Sequence, residues 1–203
     1  MDLEFNQPFD FGDGDGAASL PQCPFEVVQV GLVKLAVDFS ALDTLELTIR
    51  PTIYKRIHPF VRDITGISNK DLLSARYTFP QVFRQISDFI GGSQNIFGVW
   101  GGSDVKLLLM NINFHGLDAA SIPTKFIDVQ CLASRHLGNK SGMAVGLKNA
   151  VTALGLEQDA PFHNALGDAT YTARIFKVVA KNEPNLHRHI KICNALASTE
   201  EQT

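Results

Sequence analysis

The sequence has little cysteine, no long apolar run and no excess of charge of either sign. Its three cysteines are odd in number and widely spaced, which is typical of reduced thiols and not of a disulfide framework. The most apolar run, Val27–Val37, is interrupted by Gln29 and Lys34 and is too short to cross a bilayer. No apolar stretch follows a basic start, as a secretory signal would require. We therefore expect a cytoplasmic protein without membrane association.

Charge and composition narrow the class of protein further. The chain carries 21 Asp and Glu against 18 Lys and Arg, so no overall positive charge attracts nucleic acid. Any polyanion must then be held by a local cluster or through metal ions. A hydrophobic content of 45% excludes a disordered chain, and 203 residues suffice for one sizeable domain, with or without a helical appendage.

Periodicity predicts a mixed α/β domain. Alternating acidic and apolar residues predict a strand over Met1–Asn6, and two β-branched runs predict an antiparallel hairpin of Glu26–Val37 with Thr44–Arg50. Short apolar segments predict further strands at Asn95–Trp100 and Phe126–Val129. Helical spacing of apolar residues predicts the helices, which are Gly101–Phe114, Phe79–Ile90, Met143–Leu154, Ala165–Ala180 and a last short one at His187–Ala197. This order indicates a mixed sheet covered by helices.

Four acidic residues at separated positions are candidate metal ligands. Asp2 and Glu4 share one face of the first strand, because successive strand residues point to opposite faces. Asp104 lies where a strand gives way to a helix, and Asp168 lies early in a later helix. If the sheet brings these carboxylates together, they repel one another unless a cation neutralises them. Oxygen ligands favour Mg²⁺ or Mn²⁺ over Zn²⁺, and two such ions are a known device for in-line attack on a phosphodiester.

His163 precedes the helix that carries Asp168. Positions five apart do not share a helix face, so both side chains can point to one site only if His163 lies just before the helix and Asp168 lies in its first turns. A histidine beside a carboxylate–metal site can accept a proton from an attacking water near neutral pH.

In order and spacing, these residues resemble a known family. The segments that carry the resemblance are Asp2-Leu3-Glu4-Phe5, the run WGGSD ending at Asp104, and HNALGDA from His163 to Ala169. They resemble the DEDD exonucleases of the histidine branch (DEDDh), and GLVKL, ITGIS, FIDVQ and GLKNAVTALGL match further segments of that family. The tryptophan and glycines before Asp104 are most similar to the branch of the histone-mRNA 3′ exonucleases and the KapD-like proteins.

The resemblance implies an α/β, ribonuclease-H-like fold with a mixed five-stranded sheet, whose first three strands are antiparallel, and flanking helices. It implies an enzyme that removes nucleotides one at a time from the 3′ end of single-stranded RNA or DNA, with RNA favoured, and releases nucleoside 5′-monophosphates. Asp2, Glu4 and Asp168 would hold one of two divalent ions, Mg²⁺ or Mn²⁺. Asp2 would bridge to the second ion, with Asp104 assisting through water, and His163 would be the general base.

The resemblance also implies contacts to the terminal nucleotide. Family members seat that nucleotide against the residues that here are Leu3, Phe5 and Asn6. Trp100, which precedes Asp104 in its motif, is a further candidate contact.

Two alternative functions stay open on the sequence. Only Met1 precedes Asp2, so either the first strand is shortened or the natural chain begins upstream; a shortened strand predicts a catalytically impaired module that binds nucleic acid without turnover. The other alternative is a proofreading subunit of a DNA polymerase. The resemblance predicts an exonuclease domain at 1–180 and a helical tail at 181–203, through which the protein could form a homodimer or bind a protein partner.

Overall fold

The computed structural model describes residues 1–12, 18–140 and 143–194, and an antiparallel sheet forms its first half. Strands β1 (Asp2–Asn6), β2 (Glu26–Leu35) and β3 (Ala41–Thr48) lie in that order. Each is antiparallel to the next, which confirms the predicted hairpin and the antiparallel arrangement of the first three strands. β2 is the central strand, and its valine-rich first seven residues are buried on both faces.

A second sheet contains β4 (Phe97–Val99), β5 (Lys125–Asp128) and β6 (Ile190–Ile192). β4 and β5 are parallel, and β6 is antiparallel to β5. The nitrogen of Met1 donates a 2.8 Å hydrogen bond to the carbonyl oxygen of Gly98, where the two sheets meet. The α/β class is confirmed, but the described residues form two three-stranded sheets where the sequence predicts one sheet of five strands.

The helices surround these sheets. They are α1 (Pro59–Thr65), α2 (Asn69–Ser74), α3 (Phe79–Ile90), α4 (Ser103–Phe114), α5 (Val129–His136), α6 (Leu147–Ala153) and α7 (Ala165–Ala180), with 3-10 turns at Ala119–Ser121 and Leu186–His189. The predicted limits of α3 and α7 are confirmed. The Gln81 side chain accepts a 2.9 Å hydrogen bond from the Thr78 N–H at the start of α3, and Gly91 ends that helix with a left-handed φ of 81°. α6 begins later than predicted, because Gly146 is extended.

Two apolar clusters hold the layers together. One joins the first sheet and β4 to α3 and α4, around Val30, Ile86 and Leu109. The other joins β5 to α5, α6 and α7, around Ile127 and Tyr171. α7 also packs on β1 and β2, so it contacts both sheets and brings its first turn to the first sheet. Within the described ranges, no helix is both long enough and apolar enough to cross a membrane.

The last predicted helix is wrong over its described residues, 187–194. The chain forms a 3-10 turn at Leu186–His189 and then β6, which pairs with β5. The Lys191 ammonium also lies 2.9 Å from a carboxylate oxygen of Asp128. Pairing with the edge of an existing strand therefore overrides a short pattern at helical spacing. The rest of that prediction, 195–197, lies outside the described residues, and the division of the chain at residue 180 stays a prediction.

Candidate active site

Three carboxylates from two elements converge at one point. Asp2 and Glu4 lie on one face of β1, as alternate residues of a strand do, and Asp168 lies in the first turn of α7. One carboxylate oxygen from each residue lies within 4.8 Å of the other two. The structure thus brings together three side chains that are up to 166 positions apart in the sequence.

The approach of α7 to the first sheet depends on a glycine in β2. Gly31 lies opposite Asp2 in the β1–β2 pairing. A Cβ atom at Gly31 would overlap the backbone of Ala165 at the start of α7. Beside it, the Gln29 side-chain oxygen accepts a 2.9 Å hydrogen bond from the Ala165 N–H. Because Gly31 has no side chain, the helix begins directly against the strand and carries Asp168 to β1.

Replacing Gly31 with alanine is expected to separate α7 from β2. The new methyl group overlaps backbone atoms, which cannot move aside as a flexible side chain can. We expect Gly31→Ala to lower the free energy of unfolding in urea by about 2–4 kcal/mol. Gly146→Ala is the matched control, since Gly146 has a φ of −70° and the nearest atom to its added Cβ is 4.0 Å away. Equal stability losses in the two variants would contradict this account of the close approach.

Asp104 lies beside this group of carboxylates. It is in the first turn of α4, is 8% exposed, and accepts a hydrogen bond from the backbone N–H of Leu3 in β1. Its negative charge contributes to raising the pKa of both Asp2 and Glu4. The fourth predicted carboxylate is therefore near enough to act electrostatically on Asp2 and Glu4, although it does not belong to the group within 4.8 Å.

Burial and mutual repulsion disfavour the charged forms of these side chains. Burial, then the charges of Asp168 and Asp104, raises the pKa of Glu4 to about 7. Burial also raises the pKa of Asp104 to about 6 and that of Asp168 above its ordinary value. The pKa of Asp2 rises well above its usual range through burial and the charges of the other three carboxylates. A cation would offset the cost of keeping this cluster ionised.

These pKa shifts predict how stability depends on pH. The pKa values of Glu4 and Asp104 are higher in the folded protein than in the unfolded chain. Between about pH 4 and pH 7 the folded protein therefore binds more protons than the unfolded chain, so the free energy of unfolding falls as pH rises through that window. Without divalent metal, we expect Tm to fall by about 3 °C or more from roughly pH 5 to pH 7.5. Added Mn²⁺ should raise Tm more at the higher pH, because metal competes with protons. Scanning calorimetry checks both trends, and an Mn²⁺ effect equal at both pH values would contradict them.

His163 lies in the turn immediately before α7. Its backbone is left-handed, with a φ of 59°, and its N–H donates a 3.1 Å hydrogen bond to Asp168 Oδ2. Asn164 caps the helix by accepting a 2.9 Å hydrogen bond from the Gly167 N–H. His163 precedes the helix and Asp168 lies in its first turn, which is the arrangement that both side chains need in order to point to one site. The exposed imidazole is close enough for its charge to lower the pKa of Asp168, against the effect of burial.

The residues predicted to contact a nucleotide differ in exposure. Leu3 is 5% exposed and belongs to the core. Phe5 is partly buried against the same core, and Trp100 is partly buried against the second cluster. Phe5 and Trp100 are therefore more exposed than Leu3, which has almost no accessible surface.

Asn6 holds a loop instead of presenting a polar group to a ligand. Its side chain is fully buried, and its amide donates to the carbonyl oxygens of Tyr54 at 2.6 Å and Arg56 at 2.8 Å. Its oxygen accepts a 2.8 Å hydrogen bond from the His58 N–H. The Asn6 side chain therefore has no exposed surface for a nucleotide, and it fixes the loop that leads into α1.

Two exposed apolar side chains on α1 were not singled out by the sequence analysis. Phe60 is 60% exposed and Ile64 is 39% exposed, while Val61 between them is buried. α1 packs against β1, which carries two of the carboxylates. Apolar side chains in this position suit contact with the face of a base. Their spacing of four residues was the available signal, and a seven-residue helix is too short for that signal to stand out.

The donor atoms fit a hard divalent cation. All three ligands in the group within 4.8 Å are carboxylate oxygens. Oδ1 of Asp168 is buried and has no hydrogen-bond partner among the described residues, which is costly for a carboxylate unless a cation binds it. Oxygen donors favour Mg²⁺ or Mn²⁺ over Zn²⁺. Asp2, Glu4 and Asp168 are therefore the residues that could hold such an ion.

Comparisons with known proteins find similar exonucleases. The RNase T exonuclease family model matches residues 13–176, a range that contains Asp104, His163 and Asp168 and begins after Asp2 and Glu4. The probable 3′-5′ exonuclease KapD of Bacillus subtilis (strain 168) is 24% identical over 193 residues, which cover 93% of this chain and 86% of KapD.

Solved structures share the fold. The nuclease domain of 3′hExo, a DEDDh family member bound to rAMP, superposes with a TM-score of 0.71 at 21% identity, covering 94% of this chain and 93% of that domain. A full-length 3′-exonuclease gives a TM-score of 0.71 at 20% identity and covers 91% of this chain, which spans 60% of that protein's length. The predicted ribonuclease-H-like fold is confirmed. Because the family model matches well over half of its residues, the chain belongs to the RNase T exonuclease family, and its place in the DEDDh branch stays what the sequence motifs predict.

Proposed function

We propose that this protein removes nucleotides one at a time from the 3′ end of single-stranded nucleic acid, with RNA preferred to DNA, and releases nucleoside 5′-monophosphates. The observation that carries the proposal is the convergence of Asp2, Glu4 and Asp168, with the buried Asp168 oxygen left without a hydrogen-bond partner among the described residues. Family membership supports the reaction class, and the convergence of the carboxylates supports the choice of residues.

In this proposal, two divalent ions, Mg²⁺ or Mn²⁺, complete the site. Asp2, Glu4 and Asp168 hold one, and Asp2 together with Asp104 supports the second. Bound ions of this kind activate water and stabilise charge on the phosphate. The protein's own contribution is to keep the ligands in place: β1 fixes the first two carboxylates, and the start of α7 fixes the third.

His163 is the proposed general base. Its exposed imidazole accepts a proton from the attacking water as the water oxygen bonds to phosphorus, and the bond from phosphorus to the 3′ oxygen of the preceding nucleotide breaks. The hydrogen bond from its backbone N–H to Asp168 couples the position of His163 to that of a ligand.

Apolar side chains that are exposed or partly buried are the proposed contacts for the terminal base. Phe5 and Trp100 keep the role predicted for them, and we add Phe60 and Ile64 of α1. Leu3 and Asn6 contribute through the core and the loop. Support for RNA comes from the similar 3′hExo domain, whose bound ligand is rAMP.

A digestion of end-labelled oligonucleotides tests the proposal. RNA and DNA of one sequence, labelled at the 5′ end, are incubated with the full chain in Mn²⁺ and in EDTA. We expect a ladder that shortens from the 3′ end, faster with RNA, only in Mn²⁺, and no cleavage of an oligonucleotide whose 3′ end is blocked. Binding without cleavage would favour the catalytically impaired module, faster digestion of DNA would favour the proofreading alternative, and internal cuts would contradict both the proposal and the alternatives.

A further inference from the structure

One face of the first sheet carries two of the carboxylates and also holds the start of α7. Asp2 lies opposite Gly31 of β2, which in turn lies opposite Glu46 of β3. In the next row of the same face, Glu4 lies opposite Gln29 of β2. Residues directly opposite one another in a sheet point to the same face. The first turn of α7 lies over Gly31, so the two carboxylates of β1 flank it on one side and Glu46 flanks it on the other.

Gln29 is buried on that face, and both ends of its side-chain amide are used. It is 7% exposed. Its oxygen accepts the hydrogen bond from the Ala165 N–H, one of the groups that the first turn of a helix leaves without a partner inside the helix. Its nitrogen donates a 3.4 Å hydrogen bond to Glu46 Oε1. Gln29 therefore connects the backbone of α7 to the side chain of Glu46.

Glu46 joins this contact to the cap of the helix. The same oxygen, Oε1, accepts a 2.9 Å hydrogen bond from the side-chain nitrogen of Asn164. Asn164 is the N-cap of α7, and its own side-chain oxygen accepts from the Gly167 N–H. One carboxylate oxygen of β3 is therefore shared by two amides, one from the central strand and one from the start of the helix. We call Gln29, Glu46 and Asn164 the α7 clamp.

The α7 clamp adjoins the residue that is the proposed general base. His163 directly precedes Asn164, and its backbone is left-handed, with a φ of 59°. A residue other than glycine keeps such a backbone only where the contacts around it hold it there. In this turn the His163 N–H bonds to Asp168, and the side chain of Asn164 is held at both ends of its amide. These contacts fix the direction in which the imidazole leaves the backbone.

We propose that Glu46 is a positioning residue for the nuclease reaction: through Asn164 and Gln29 it fixes the turn that carries His163, and so orients the imidazole toward the attacking water. Glu46 does not belong to the group of three carboxylates, so its effect passes through the start of α7. This inference rests on the proposed function, in which His163 is the general base. Because Glu46 is exposed, replacing it leaves the core intact.

Variants of Glu46 test the proposal in the full chain with Mn²⁺. Glu46→Leu removes the shared acceptor, and we expect kcat for the digestion of RNA to fall about tenfold while KM stays within about twofold. Glu46→Gln keeps an oxygen that can accept both hydrogen bonds, so it should keep kcat within about twofold of the original protein. The control, Asp43→Leu, removes an exposed carboxylate from the opposite face of β3 and should leave kcat unchanged.

A double substitution identifies the group through which Glu46 acts. In a His163→Asn protein, adding Glu46→Leu should change kcat by less than about twofold, because the imidazole that Glu46 orients is absent. Three results would overturn the proposal: full kcat in Glu46→Leu, an equal loss of kcat in Glu46→Gln, or an undiminished loss when Glu46→Leu is added to His163→Asn.

Amide hydrogen exchange distinguishes this inference from the proposed function. Without metal or RNA, Glu46→Leu should speed exchange of the His163 and Gly167 N–H groups about fivefold or more, whereas Glu46→Gln should not. Faster exchange in Glu46→Leu, together with an original protein that digests no RNA, would support the α7 clamp and overturn the nuclease function. Unchanged exchange in Glu46→Leu would overturn the clamp even if kcat falls.

Discussion

Replacing Asp168 with asparagine is expected to lower kcat/KM for the 3′-to-5′ digestion of RNA by about 1,000-fold or more. The substitution removes one negative charge from the group of three carboxylates while keeping the shape of the side chain. The amide oxygen can still accept the hydrogen bond from the His163 N–H, so the turn before α7 should persist. The expected fall in activity would then come from the lost charge of a metal ligand. Initial rates of digestion of a 5′-labelled RNA in Mn²⁺ measure this fall.

A matched control separates charge at the site from charge on the surface. Asp88→Asn makes the same chemical change at an exposed side chain of α3. We expect the control to keep kcat/KM within twofold of the original protein, and circular dichroism to show both variants folded. Retention of a tenth or more of the activity in folded Asp168→Asn would contradict the role proposed for this carboxylate.

Replacing His163 with asparagine is expected to lower kcat by about 100-fold or more while KM changes little. Asparagine tolerates the left-handed backbone of this position, and it keeps the N–H that bonds to Asp168. The variant therefore removes the imidazole alone. Without the imidazole, this turn has no side chain to accept a proton from the attacking water, so the pH profile of kcat in the variant should differ from that of the original protein.

The control for this variant is His136→Asn at the end of α5, where the side chain is also exposed. It should keep both the rate and the pH profile of the original protein. A His163→Asn protein whose kcat falls without any change in the pH profile would assign His163 a positioning role.

Local sequence signals predict the elements of the site well. Alternation in a strand correctly places Asp2 and Glu4 on one face, because that rule needs no tertiary information. α7 begins and ends where the periodicity predicts, and Asn164 supplies its N-cap. The helix also begins late enough to leave His163 outside it, as the spacing of His163 and Asp168 requires.

What the sequence does not reveal depends on contacts between distant segments. Gly31 reads as an ordinary glycine in a strand, and only packing shows that the start of α7 needs its missing side chain. Asn6 reads as a polar residue beside the site, whereas its amide is fully used on backbone more than forty residues away. The sequence of β6 predicts a helix, because local periodicity does not show that this segment pairs with the distant strand β5.

Titration of the full, metal-free chain with Mn²⁺, followed by calorimetry at about pH 7.5, tests most directly whether the carboxylates gathered by β1 and α7 form a cation site. The account predicts saturable binding with release of protons, at least tenfold weaker affinity in Glu4→Gln and in Asp168→Asn, and unchanged affinity in Asp88→Asn. Equal affinity in all four proteins, or no binding to the original one, would contradict it.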